Sequence, residues 1–149
     1  MSDIRLFAST VESDIESALI RWEGKSAWSH CGFYRKSDQW TFSAMLDGGV
    51  KWRPPNPAAK VLVLTAQGQD AALSRALTKE GEAYDWLDIL GIATGRNWAM
   101  EGRMICDKLV FWAFQEIGVP LLNHKFIPLM HLAPDDILKS PYVMEDTEP

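Results

Sequence analysis

Trp28-Ser29-His30-Cys31-Gly32-Phe33-Tyr34 reads as the core of a short strand from Ser29 to Arg35, ringed by aromatic residues. In extended backbone, alternate residues face opposite sides. His30 therefore shares its side with Gly32 and Tyr34, while Ser29 and Cys31 face away. Gly32 leaves room beside the imidazole for a substrate or for a second element. A strand histidine is either a polar residue satisfied by its neighbours or a proton-transfer group. The choice rests on what the rest of the chain can bring to it.

With 3 His and 2 Cys in 149 residues, few nucleophilic arrangements are open. In Met104-Ile105-Cys106-Asp107-Lys108-Leu109-Val110, Cys106 falls where a helix begins. That helix is expected over Ile105 to Ile117, ended by Gly118 and Pro120. The unbonded N–H groups of a helix start favour a thiolate and can also hold a developing oxyanion. Asp107 opposes ionisation of its neighbour, and Lys108 offsets that only in part. The competing reading is core packing, because Cys106 shares a helical face with Leu109, Val110, Ala113 and Ile117. An active-site helix satisfies both readings when its later turns are buried and its first turn meets a cleft. His124 and His131 flank Phe126 to Met130 without a comparable local setting.

A third group would orient the imidazole. Ser37-Asp38-Gln39 is turn-like, and Trp40 to Met45 is expected to return antiparallel to the His30 strand. Gln39, Thr41 and Ser43 would share one face there. Ser43 is a weak orienter beside a carboxylate, and Asp38 and Asp47 lie at turns. A zinc site from Cys31, Cys106 and histidines is disfavoured, since no local ligand pair has finger-like spacing and Cys31 faces away from His30. No cofactor or metal is expected.

The remaining chain fits one domain, 1–149. A strand is expected over Ile4 to Ala8, then a helix over Glu12 to Trp22 ended by Gly24. After the Asp47-Gly48-Gly49 turn come an extended Val50 to Arg53 and the breaker Pro54-Pro55-Asn56-Pro57. Val61 to Leu64 is strand-like, and Asp70 to Glu80 is helical, closed by Gly81. Tyr84 to Ile92 reads as a helix or tight loop, Thr94 to Gly102 as irregular, and Pro134 to Leu138 as a helical turn. An acidic tail, 145–149, is expected to fray. Strand, helix, grouped strands and then helices describe an α+β domain with an antiparallel sheet.

The formal charge is -5 and no basic run reaches four residues, which argues against a nonspecific grip on nucleic acid. The start lacks both a basic leader and a long apolar run, so no integral membrane contact and a cytoplasmic location are expected. Delivery by a phage particle or secretion machine is compatible with the same features. The two cysteines form no disulfide framework. Seven tryptophans suit either a Trp-rich core or a wet aromatic surface around a site.

Taken in order, several segments resemble the permuted branch of the NlpC/P60 superfamily of papain-like cysteine hydrolases, which includes cell-wall-hydrolase relatives and lecithin-retinol-acyltransferase-like proteins. They are Trp28 to Tyr34, Gly48-Gly49-Val50-Lys51-Trp52-Arg53-Pro54, Gly81 to Gly91 around Tyr84-Asp85-Trp86, Ile105 to Val110, and Ala133 to Pro141. The histidine precedes the cysteine, as a circular permutation requires. The resemblance implies a circularly permuted papain-like fold, with an antiparallel sheet packed against helices and the nucleophile at a central helix N-terminus. It implies Cys106 as nucleophile, His30 as general base, Tyr84 as cleft and oxyanion support, and a third polar position at Ser43. Amide hydrolysis in a peptidoglycan-type peptide is the implied reaction. Lipid amide or ester acyl transfer is the sister possibility, and an inactive binding or structural protein on the same scaffold is a rival. Members commonly follow the cysteine with serine and glutamate and carry histidine or an acid at the third position. Asp107, Lys108 and Ser43 depart from that pattern.

Overall fold

The computed structural model describes residues 2–11, 28, 30–45, 48–84, 103–104, 106–119, 121 and 134–146, without the side chains at 83–84, 103–104, 106–108 and 134–136. The expected helix at Glu12 to Trp22, the segment after Tyr84, and both His124 and His131 lie outside the described residues.

Strands β1 (Ile4–Thr10), β2 (His30–Arg35), β3 (Thr41–Met45), β4 (Gly49–Arg53) and β5 (Lys60–Ala66) precede helix α1 (Gln69–Ala76). The short strands β6 (Ala83–Tyr84) and β7 (Arg103–Met104) lead to helix α2 (Cys106–Glu116), and β8 (Val143–Glu145) closes the order. Six strands form one sheet in the order β4-β3-β2-β1-β5-β8, with every pairing antiparallel. The molecule is thus α+β with an antiparallel sheet, as the strand grouping in the sequence requires.

Alternation sorts the sheet into two faces. Leu6, Ala8, Cys31, Phe33, Phe42, Ala44 and Leu64 point to one side, where they form a core with Ala72, Leu73 and Ala76 of α1 and Leu109, Val110, Ala113 and Phe114 of α2. Phe33 and Phe114 stack with ring centroids 6.3 Å apart, which fixes α2 against β2. Gly118 ends α2 in a left-handed conformation (φ 77), and Val119 N–H reaches back to the carbonyl of Phe114 at 3.0 Å.

The structure revises several boundaries. The returning strand starts at Thr41 rather than Trp40, because Gln39 takes a positive φ of 64 at the turn. Only Thr41 and Ser43 of the expected trio therefore share a strand face. Arg35 Nε and Nη2 donate to the Asp38 carboxylate, which pulls its pKa down and fastens the turn. The helix expected at Asp70 to Glu80 divides into α1 and a 3-10 turn, Leu77–Lys79. The turn expected at Pro134 to Leu138 is a 3-10 segment through Lys139.

The acidic tail is the largest revision. Glu145 does not fray but pairs with Leu64 in β8, and Asp146 N–H donates to the Val63 carbonyl at 2.9 Å. Asp146 also takes a 3.2 Å hydrogen bond from Arg5 Nε, in an ion pair whose side chains are only 5% and 4% exposed. Lys36 adds a second cation at 3.5 Å. Residues 147–149 lie outside the described residues. A buried pair broken from one side leaves an uncompensated charge. Asp146→Ala is therefore expected to cost about 3 kcal/mol, read as a lowered urea midpoint at unchanged slope.

Candidate active site

His30, Gly32 and Tyr34 face away from the helices, beside Phe7 and Ser9 of β1, and the β2–β3 register places Tyr34 opposite Thr41. Continuing that register puts Gly32 next to Ser43. There, His30 Nε2 lies 2.8 Å from Ser43 Oγ, and Ser43 is fully buried. The imidazole reaches diagonally over Gly32 to the neighbouring strand. A Cβ added to Gly32 would lie 2.8 Å from Ser43 Cβ, 2.7 Å from the Phe42 carbonyl oxygen and 2.9 Å from Phe7 Cε1. The Phe7 ring packs on the imidazole from the other side, centroids 5.5 Å apart and tilted by 57°. A ring wall, a hydroxyl and an absent side chain together fix the orientation of His30.

The same face carries a groove of about 1120 Å³, lined by Phe7, His30, Tyr34, Thr41, Lys51 and Val63 and by the Pro54 to Pro57 segment. Burial, and secondarily the nearby Asp38 charge, push the Tyr34 phenol pKa up, so it remains a donor at neutral pH. Arg53 Nη1 and Nη2 donate to the carbonyls of Ser43 and Gly49 at 2.9 and 2.7 Å, tying the strand that carries Ser43 to its neighbour.

The path into α2 follows from backbone pairing. Val50 N–H donates to the Glu82 carbonyl at 2.9 Å, and Gly81 N–H to the Val50 carbonyl at 2.8 Å. Val50 pairs with Ala44, towards the end of the sheet where His30 lies. The chain then enters β6, which pairs in parallel with β7, Tyr84 opposite Met104, immediately ahead of the helix that starts at Cys106. From the Phe114 contact back to Cys106 the helix runs about 12 Å, and from Phe33 back to His30 the strand runs about 10 Å. The side chains of Cys106 and Tyr84 lie outside the described residues.

Cys31 is fully buried on the core face, opposite His30, as alternation predicts. Among the described residues no group of three or more His, Cys, Asp or Glu could hold a metal ion. No described helix is long and apolar enough to cross a membrane. Sequence reasoning missed Phe7 and the groove it lines. The signal was the odd-numbered side of Ile4 to Ala8, which becomes a site wall only once β1 is paired with β2.

No protein-family model matches this chain, and no curated protein matches it. Among solved structures it is similar to the metalloprotein yiiX from Escherichia coli O157:H7, with 17% sequence identity over 97% of this chain and 96% of that one. The TM-score is 0.69, and at this identity the likeness is one of fold.

The Gly32 contacts give a direct test of the site's geometry. Gly32→Ala is expected to destabilise the fold by about 2 kcal/mol, because backbone and two side chains must give way. Its NMR spectrum should show the His30 ring resonances displaced far more than those of residues in α1.

Proposed function

We propose that the chain is a cysteine hydrolase on a circularly permuted papain-like scaffold, with Cys106 as nucleophile and His30 as base. The observation that carries the proposal is the 2.8 Å contact between His30 Nε2 and Ser43 Oγ, at the end of the sheet where α2 begins. That contact occupies Nε2 and makes Nδ1 the nitrogen through which a thiol would pass its proton. The order of segments from Trp28 to Pro141 supports the same reading.

In the proposed reaction, Nδ1 takes the Cys106 proton as sulfur attacks a carbonyl carbon. Backbone N–H groups in the first turn of α2 hold the oxyanion, with Tyr84 as a further donor. The imidazolium then protonates the departing amine, and water releases the acyl-enzyme by the reverse proton path. Ser43 accepts the Nε2 hydrogen and keeps the ring aimed, supplying direction without a negative charge. The preferred substrate is an amide in a peptidoglycan-type peptide. Lipid amide or ester acyl transfer is the second enzymatic reading, favoured by the apolar wall of Phe7, Val61 and Val63. A retired scaffold that only binds is the non-enzymatic rival.

Iodoacetamide labelling across pH, followed by peptide mass spectrometry, separates activity from packing. Cys106 should label about tenfold faster than a small free thiol at pH 6, while the buried Cys31 stays unlabelled in the folded chain. His30→Ala should slow Cys106 by about a hundredfold. Ser43→Ala should slow it by about fivefold, the worth of one neutral hydrogen bond. Slow, His30-independent labelling would sink the enzymatic reading. Defined muropeptides and acyl esters, assayed side by side, distinguish the two substrate classes.

A further inference from the structure

We infer that Lys51 makes the groove selective for anionic ligands, and that the substrate carries a carboxylate or a comparable anion close to the bond that is cut. The substrate part of this inference rests on the hydrolase reading above. The binding part does not.

Lys51 lies directly opposite Ser43 in the β3–β4 register and lines the groove. Directly opposed side chains in antiparallel strands have Cβ atoms about 5 Å apart. The lysine stem therefore starts beside the hydroxyl that holds His30. Its head lies over the Gly48-Gly49 turn. A Cβ built on Gly48 would lie 2.6 Å from Lys51 Nζ and 2.7 Å from Cε, so the Gly48-Gly49 turn provides the space that the ammonium occupies. Gly48 has φ +85, a conformation that itself favours glycine. Gly49 pairs with Met45, which turns the ammonium towards the His30 end of the groove.

Among the described residues that line the groove, charge is one-sided. Among the described residues, Lys51 Nζ makes no ion pair and no hydrogen bond. The described groove lining includes Lys51 and Arg53 but no aspartate or glutamate. This occurs in a chain with 20 acidic and 15 basic residues, where a described lining with cations and no acid is not the default. The distances within the groove are of the order of the Debye length at physiological salt, about 8 Å, so an anion bound there feels the ammonium. Lys51 is exposed, and an exposed pair is worth a factor of about three to five rather than orders of magnitude. The expected effect is a selectivity, not a switch.

Two probes of equal reach and different charge test it. Iodoacetate and iodoacetamide both alkylate a thiolate at carbon and release iodide, and the ratio of their rates at Cys106 is normalised to the same ratio for a small free thiol. In the native chain at low salt that ratio should favour iodoacetate by about three- to fivefold. It should fall towards one in Lys51→Met, fall below one in Lys51→Glu, and shrink as salt rises. An equal ratio in all three proteins overturns the inference, even where labelling remains His30-dependent and the hydrolase reading stands. A binding arm needs no thiol chemistry. In Cys106→Ala, N-acetylglycine should shift the His30 ring resonances at lower concentration than N-acetylglycinamide, and Lys51→Met should abolish the difference. That preference, found with a chemically inert Cys106, supports the anion site while the hydrolase reading fails. Its absence overturns the site.

Discussion

The imidazole of His30 is held by a hydroxyl on the next strand, and the geometry of that contact imposes conditions on much of the sheet. The 2.8 Å approach to Ser43 Oγ requires β2 and β3 to pair in one register. A slip by one residue would turn Ser43 into the core. It also requires Gly32, since a Cβ there would lie 2.7 to 2.9 Å from the Phe42 carbonyl oxygen, Ser43 Cβ and Phe7 Cε1. Phe7 must meet the ring from β1, which fixes a third strand. Arg53, bridging the carbonyls of Ser43 and Gly49, ties in the fourth.

The two faces of the sheet are specialised in consequence. One is apolar and sealed by α1 and α2, with Phe33 on Phe114 at its centre. The other is open enough to hold a groove, and it is anchored at the end remote from His30 by the buried Arg5–Asp146 pair. A buried ion pair adds little net stability compared with apolar packing, but it penalises misplacement of either partner. Here it fixes the last described residue, Asp146, against the first strand, so the C-terminal segment becomes part of the frame.

The sequence was informative where a pattern is local and silent where it is not. Alternation in Trp28 to Tyr34 placed His30 and Cys31 on opposite faces, and the structure agrees. Strand spacing and the family resemblance both point to Ser43, yet the reach to His30 depends on a diagonal across Gly32 that only register supplies. Trp40 follows the turn-like Ser37-Asp38-Gln39 and so reads as the start of the returning strand. The Arg35–Asp38 contacts and the left-handed Gln39 override that reading. The tail was read as frayed because Glu145 and Asp146 are charged and close to the terminus. Its partners, Leu64, Arg5 and Lys36, are far away in sequence, and nothing local announces them.

A neutral orienter changes which parts of the site must supply charge. A carboxylate at the third position would stabilise an imidazolium directly, whereas the Ser43 hydroxyl offers a dipole. Asp107 adds a negative charge next to the proposed thiolate rather than removing one. In the proposed mechanism, stabilisation of the thiolate–imidazolium pair therefore falls to the first-turn N–H groups of α2, whose partial positive charge is fixed by the helix itself. That source acts only within about a turn of the helix end. The placement of α2 then matters more than in a site with a charged triad, and two contacts bear most directly on it: the parallel pairing of Tyr84 with Met104 ahead of the helix, and the Phe33–Phe114 stack within it. In this reading core packing and proton transfer are coupled through the same helix, so substitutions deep in the core act on the chemistry by moving its first turn.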